Sequence, residues 1–159
     1  MEFEVFTYPE LTLSGQSVVL STSQSENAKR ISSLWKSFNR ELQIRNLKGG
    51  YDWVKYGVTQ KISGDYIYTC AVPAERKVDD FESITLCSAP YARFQHRGSL
   101  SHLKATFFTL YKKVLPESGL IIDPDRPMLH FEKYDHRFHW TRSDSIIEIC
   151  IPILKQGDS

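Results

Sequence analysis

Two stretches of this chain carry helical periodicity, and each stands among runs that alternate like strand. In "SQSENAKRISSLWKSFNRELQIRN" the apolar positions Ala28, Ile31, Leu34, Trp35, Phe38 and Leu42 recur at steps of three and four, which places them on one helix face. Ser23 with Glu26 makes a capping box at its start, and Gly49 with Gly50 is the expected stop. In "SLSHLKATFFTLYKKVLPES" the stripe is Leu103, Phe107, Leu110, Tyr111 and Val114, and Pro116 is expected to end the helix. The remaining runs read as strands: "LTLSGQSVVLST", "YGVTQKISGDYIYTCAV" hinged on Ser63 and Gly64, "ESITLCSAPYARFQHRG", "PMLHFEKYD" and "SIIEICIPI". The last two are joined by the polar "HRFHWTRSD".

The order strand, helix, strand, strand therefore occurs over about residues 11 to 74 and again over about residues 82 to 154. This predicts an α+β fold of two pseudo-repeated βαββ modules, with antiparallel sheets, one long helix each and a central ligand groove between them. Both modules are expected in a single domain over residues 1–159, with half-repeats at about 1–76 and 77–156.

At 159 residues the chain is long enough to bury a real core, and its 41% hydrophobic and 25% charged content with a net charge of +1 argues against disorder. That charge gives no pull toward nucleic acid or an anionic membrane. No apolar run approaches the roughly 20 residues of a membrane span, and "MEFEVFTYPE" has no basic start or apolar middle, so a cytoplasmic location with no membrane partner is expected. Cys70, Cys87 and Cys150 lie in strand-like runs without metal spacing and are read as small buried apolar side chains.

The stretch "MLHFEKYDHRFHW" sets Glu132 among aromatics. Strand carboxylates ordinarily face water, because burying an unpaired charge costs several kcal/mol. Alternation puts His130, Glu132 and Tyr134 on one face and Leu129 and Phe131 on the other. With Leu129 and Phe131 under a helix, Glu132 and Tyr134 would face the groove. The same logic sends Ala92 and Phe94 to the helix and Tyr91 and Arg93 to the groove, while Tyr66 and Tyr68 share a face. Glu148, in phase with Ile146 and Cys150, is a second carboxylate expected in the groove. Two such carboxylates would suit general acid and base work, which keeps an enzyme open as an alternative. His130, Glu132, His136 and His139 crowd ten residues, but their spacing matches no standard zinc motif, and no metal or cofactor is expected.

"APYARFQHRGSLSHLKATFFTLYKKVLPESGL", followed by "MLHFEKYD" and "IIEICIPI", resembles the gyrase-inhibitor-like (GyrI-like) family, also met as the effector-binding domain of AraC-type and multidrug-responsive regulators. The likeness rests on Tyr91 and Ala92, His96 to Gly98, Leu115 and Pro116, the Phe131-Glu132-x-Tyr134 strand, and Ile151-Pro152-Ile153; Trp35 and "YGVT" match more loosely. The resemblance implies a central pocket for amphipathic, often cationic, aromatic compounds, with Glu132 at the position that meets the ligand's charge. Tyr91 and Tyr134 match aromatic pocket positions, and Trp35, Tyr56, Tyr66, Tyr68, Phe138 and Trp140 join them by placement. Regulators of this family carry a helix-turn-helix domain ahead of this one. Here the first strand begins almost at Met1, so the stand-alone branch, which includes drug-binding members on mobile integron cassettes, is expected, without direct nucleic-acid contact. The implied role is a sensor or sequestering protein, and a homodimer is compatible with it. The resemblance also implies, from members that hydrolyse reactive small molecules, a hydrolase using the pocket glutamates Glu132 and Glu148 as an alternative, and a protein-interaction module of the gyrase-inhibitor type is the other; "ERKVDD" and "DPDRP" read as ordinary solvated loops.

Overall fold

The first helical stripe forms α1 (Gln24–Ile44) in a computed structural model that describes residues 1–47, 49–74 and 78–154. Residues 75–77 of "ERKVDD", where the two half-repeats were expected to meet, lie outside the described residues. The Ser23 hydroxyl accepts from the Glu26 N–H at 3.3 Å, but only this half of the capping box forms: the Ser23 N–H donates to the Ser21 hydroxyl, and Glu26 pairs with Arg30 at 3.4 Å. The helix stops before Gly49, because Asn46 takes the left-handed conformation (φ 57°) that an asparagine tolerates.

The second stripe is broken rather than uniform. A 3-10 turn, Leu100–His102, leads into α2 (Leu103–Thr109), a π turn over Leu110–Val114, and α3 (Leu115–Ser118). Pro116 does not end it. Proline lacks the N–H that would reach back to residue 112, and the wider π turn just upstream accommodates that loss. Gly119, at φ 76°, is the terminator.

Among the described residues eight strands form one antiparallel sheet, not two: β1 (Phe3–Tyr8), β2 (Leu11–Val19), β3 (Lys55–Ile62), β4 (Asp65–Pro73), β5 (Glu82–Leu86), β6 (Ala89–Arg97), β7 (Met128–Tyr134) and β8 (Ile146–Pro152), in the order β1-β6-β8-β7-β3-β4-β2-β5. The β3–β4 hairpin turns on Ser63 and Gly64, both at positive φ (52° and 84°), as a two-residue turn matched to strand twist requires. "ESITLCSAPYARFQHRG" is two strands, broken at Cys87 and Ser88, because its halves pair at opposite edges: β5 with β2, β6 with β1 and β8. Cys87 is therefore exposed, whereas Cys70 and Cys150 are buried as expected.

One sheet face carries the helices. Phe38 and Leu42 pack on Tyr68, Cys70 and Phe81, while Leu110 and Leu115 pack on Ala92, Phe94, Ile149 and Ile151. The other face closes on itself: Tyr8, Leu13, Tyr56, Ala71, Leu86, Tyr91, Phe131 and Cys150, one from each strand, share a single cluster. Such self-packing needs a curled, half-barrel sheet. With α1 over β4 and β2, and the second helical segment over β6 and β8, the central pair β3 and β7 floors the space between the helices. Among the described residues no helix is long and apolar enough to cross a membrane.

Candidate functional site: a carboxylate under an indole

Pairing of β3 with β7 sets Lys55 opposite Tyr134, Gly57 opposite Glu132 and Thr59 opposite His130, all on the helix-bearing face. Glu132 is 5% exposed. Its Oε1 accepts from the Tyr134 hydroxyl at 2.6 Å and the Tyr68 hydroxyl at 3.2 Å, and Trp35 Nε1 donates to the Tyr68 oxygen at 3.0 Å. The Trp35 ring stands edge-on to Tyr134, with centroids 5.4 Å apart, so the indole touches both tyrosines that hold the carboxylate. From Tyr134 an edge-to-face series continues to Phe138 at 5.1 Å and on to the exposed Trp140 at 5.3 Å.

Burial raises the Glu132 pKa from 4.5 to about 7, against the two tyrosyl hydrogen bonds, which pull it down. Burial and the neighbouring carboxylate push the Tyr68 and Tyr134 hydroxyls well above their ordinary range, so both stay protonated and donate. Glu132 is thus poised between its neutral and charged forms near pH 7. Two residues away, His130 packs on Phe107 (4.6 Å) and meets the Tyr111 hydroxyl at 3.0 Å through Nδ1; desolvation lowers its pKa to about 4, so it is neutral.

The remaining sequence candidates do not all gather here. Trp35, Tyr68, Tyr134, Phe138 and Trp140 do. Tyr66 shares the face but lies near the hairpin end, 45% exposed beneath the Lys61 ammonium. Tyr56, Tyr91 and Glu148 are on the opposite, self-packed face, as is Phe131. The expectation that helix and groove occupy opposite faces is corrected: the helices flank the Glu132 face. The expectation of two carboxylates in one cavity fails for a reason of register, since Glu132 pairs with Ile149 and leaves Glu148 pointing through the other side. There Glu148 accepts from Arg137 at 2.6 Å and lies 3.9 Å from Arg93, a buried carboxylate in a partly exposed ion-pair network rather than an acid and base set. His136 stacks on Tyr51 at 5.1 Å, away from His130 and Glu132 on β7, and no cluster of metal-binding side chains occurs among the described residues.

Glu132 is buried among Trp35, Tyr68 and Tyr134 rather than open to solvent. Two depressions lie beside α1: one of about 410 Å³ next to Ser17, Glu26, Arg30 and Leu34, and one of about 380 Å³ lined by Lys36, Asn39, Arg40, Gln43 and Lys55. Sequence reading missed Gly57, although a glycine inside a strand marks a place where something approaches closely. A Cβ at Gly57 would fall 2.1 Å from the Tyr68 hydroxyl and 3.1 Å from Glu132 Oε1.

The profile of the Cass2 family, described as integron-associated effector binding proteins, matches residues 4–153. A curated relative, the transcriptional regulator BrlR of Pseudomonas aeruginosa, is 30% identical over 130 residues, covering 77% of this chain but 46% of the regulator. The chain thus spans about half the length of that relative. Among solved structures, SAV2435 bound to tetraphenylphosphonium superposes with a TM-score of 0.75 at 20% identity, over 97% of this chain and 94% of that one. The Vibrio cholerae integron cassette protein VCH_CASS2 does so with a TM-score of 0.62 at 14% identity, over 96% and 95%. At these identities the two structures establish the fold.

Proposed function

The chain belongs to the Cass2 family of integron-associated effector binding proteins, and from that premise we propose that it binds amphipathic, cationic aromatic small molecules against Glu132, as a sensor or a sink for such compounds. The observation that carries this reading is the enclosed carboxylate itself, held by Tyr68 and Tyr134 under the Trp35 indole. A lipophilic cation entering this site would lose water and regain contact with ring faces, each worth about 0.5–2 kcal/mol. A carboxylate about 4 Å away adds roughly 4 kcal/mol of gross attraction at an effective dielectric near 20, before desolvation is subtracted. Neither force dictates one ligand shape, so breadth of specificity follows. Because Glu132 is buried beside Trp35, entry requires the indole to swing or to shift with α1. The tetraphenylphosphonium bound to SAV2435, a protein of the same fold, supports this ligand class.

The test compares tetraphenylphosphonium with tetraphenylborate, ions of like shape and opposite charge, by calorimetric titration. The cation is expected to bind at least about tenfold more tightly, equivalent to about 1.4 kcal/mol. Equal affinity for the two ions would remove Glu132 from the explanation.

A further inference from the structure

The depression beside α1 carries a charge opposite to that of Glu132. Lys36, Asn39, Arg40 and Gln43 fall at i, i+3, i+4 and i+7 along α1, one stripe of the helix, and Lys55 of β3 completes the lining. Three cations and two carboxamides converge there, and no carboxylate lines the space among the described residues. Lys55 is held in place, its ammonium donating to Asn39 Oδ1 at 2.8 Å and lying 5.3 Å from the Trp53 ring centre.

The location ties this depression to the carboxylate. Lys55 is two residues from Gly57 on β3, and Gly57 is the register partner of Glu132, so Lys55 and Glu132 rise from the same sheet face roughly 7 Å apart along the strand direction. Asn39 lies one helical turn beyond Trp35. With the indole displaced, the basic depression and the buried carboxylate would lie in one cleft, anionic at its floor and cationic at its rim.

Resting on the cation-pocket reading, we propose that the preferred ligands are zwitterions: an aromatic cation seated on Glu132 whose own carboxylate or other anionic group reaches Lys36, Arg40 and Lys55. A purely cationic ligand meets like charge at the rim, whereas a ligand bearing both signs satisfies both ends of the cleft. The carboxamides of Asn39 and Gln43 supply N–H donors to the same anionic group.

Rhodamine 110 and rhodamine 123 test this directly, because they differ only in a free carboxylate against its methyl ester. By fluorescence anisotropy at neutral pH and low salt, the free acid is expected to bind at least about fivefold more tightly, the size of one or two exposed ion pairs. In a K36Q/R40Q variant the preference shrinks to within about twofold, through weaker binding of the acid. Equal or tighter binding of the ester by the unaltered protein, or an unchanged preference in the variant, overturns the inference; the cation pocket still stands if E132Q weakens both dyes. Binding of neither dye also overturns it, and if tetraphenylphosphonium fails as well the pocket reading falls too.

Discussion

Gly57 and Glu132 face each other across the β3–β7 register, and the missing side chain of Gly57 is the space in which the Tyr68 hydroxyl reaches Glu132 Oε1. Gly57→Ala is expected to push Tyr68 aside and lower stability by about 1–3 kcal/mol, as overpacking does. Because the nearest obstruction is the hydroxyl at 2.1 Å, the same substitution should cost less in a Tyr68→Phe background. A urea-denaturation double-mutant cycle measures this, and strict additivity would argue against the close approach.

Two titratable groups on β7 make opposing demands on pH. Glu132, raised from 4.5 to about 7, holds its proton in the folded state where the unfolded chain has lost it, so its contribution falls as pH rises from about 4.5 to 7. His130, lowered from 6.5 to about 4, stays neutral where the unfolded chain is protonated, so its contribution falls as pH drops from about 6.5 to 4. Each is worth about 3 kcal/mol over its window. The wild-type protein is therefore expected to show little net slope from these two between pH 5 and 6.5, whereas Glu132→Gln should gain stability with rising pH and His130→Asn should lose it. Urea midpoints at pH 5, 6 and 7 decide the signs.

Trp35 touches both tyrosines that hold Glu132. Trp35→Phe deletes the donor to Tyr68 but keeps most of the ring volume, and is expected to cost about 1 kcal/mol; Trp35→Ala should cost about 3–5 kcal/mol. If the indole gates the site, Trp35→Ala binds tetraphenylphosphonium with a faster association rate than Trp35→Phe in stopped-flow mixing. Identical rates would mean that the indole is not the barrier.

Glu148 separates the binding reading from a two-carboxylate hydrolase. Glu148→Gln weakens the pairing to Arg137 and Arg93 on the self-packed face and is expected to lower stability by about 1–3 kcal/mol. Tetraphenylphosphonium affinity should remain within about twofold. A large loss of affinity in a folded variant would place Glu148 back beside the ligand.

Alternation within β7 was enough to put His130, Glu132 and Tyr134 together, and the stripes of Phe38, Leu42 and Leu110 were enough to find the helices. Alternation fixes phase inside one strand, whereas the relation between strands depends on register, which is a property of paired backbones. That is why Glu148 was expected beside Glu132 and lies through the sheet from it, one register step away. Which face carries the helices was likewise out of reach: Leu129, Phe131 and Tyr91 look as suited to lying under a helix or lining a groove as to the self-packed interior of a curled sheet. The break at Cys87 follows from β5 and β6 finding partners at opposite edges, a choice made by the whole sheet. Pro116 carried a true local signal, loss of a donor, that the π turn absorbed.

The central claim is that a cation is held by the ionised form of Glu132, and the pH dependence of tetraphenylphosphonium binding tests it most directly because that cation has no proton to lose. Calorimetry across pH 5.5 to 8.5 is expected to show the dissociation constant rising about tenfold per unit below pH 7 and levelling above it, with Glu132→Gln binding weakly at every pH. A flat profile for the wild-type protein, or a Glu132→Gln variant that matches it, would contradict the account.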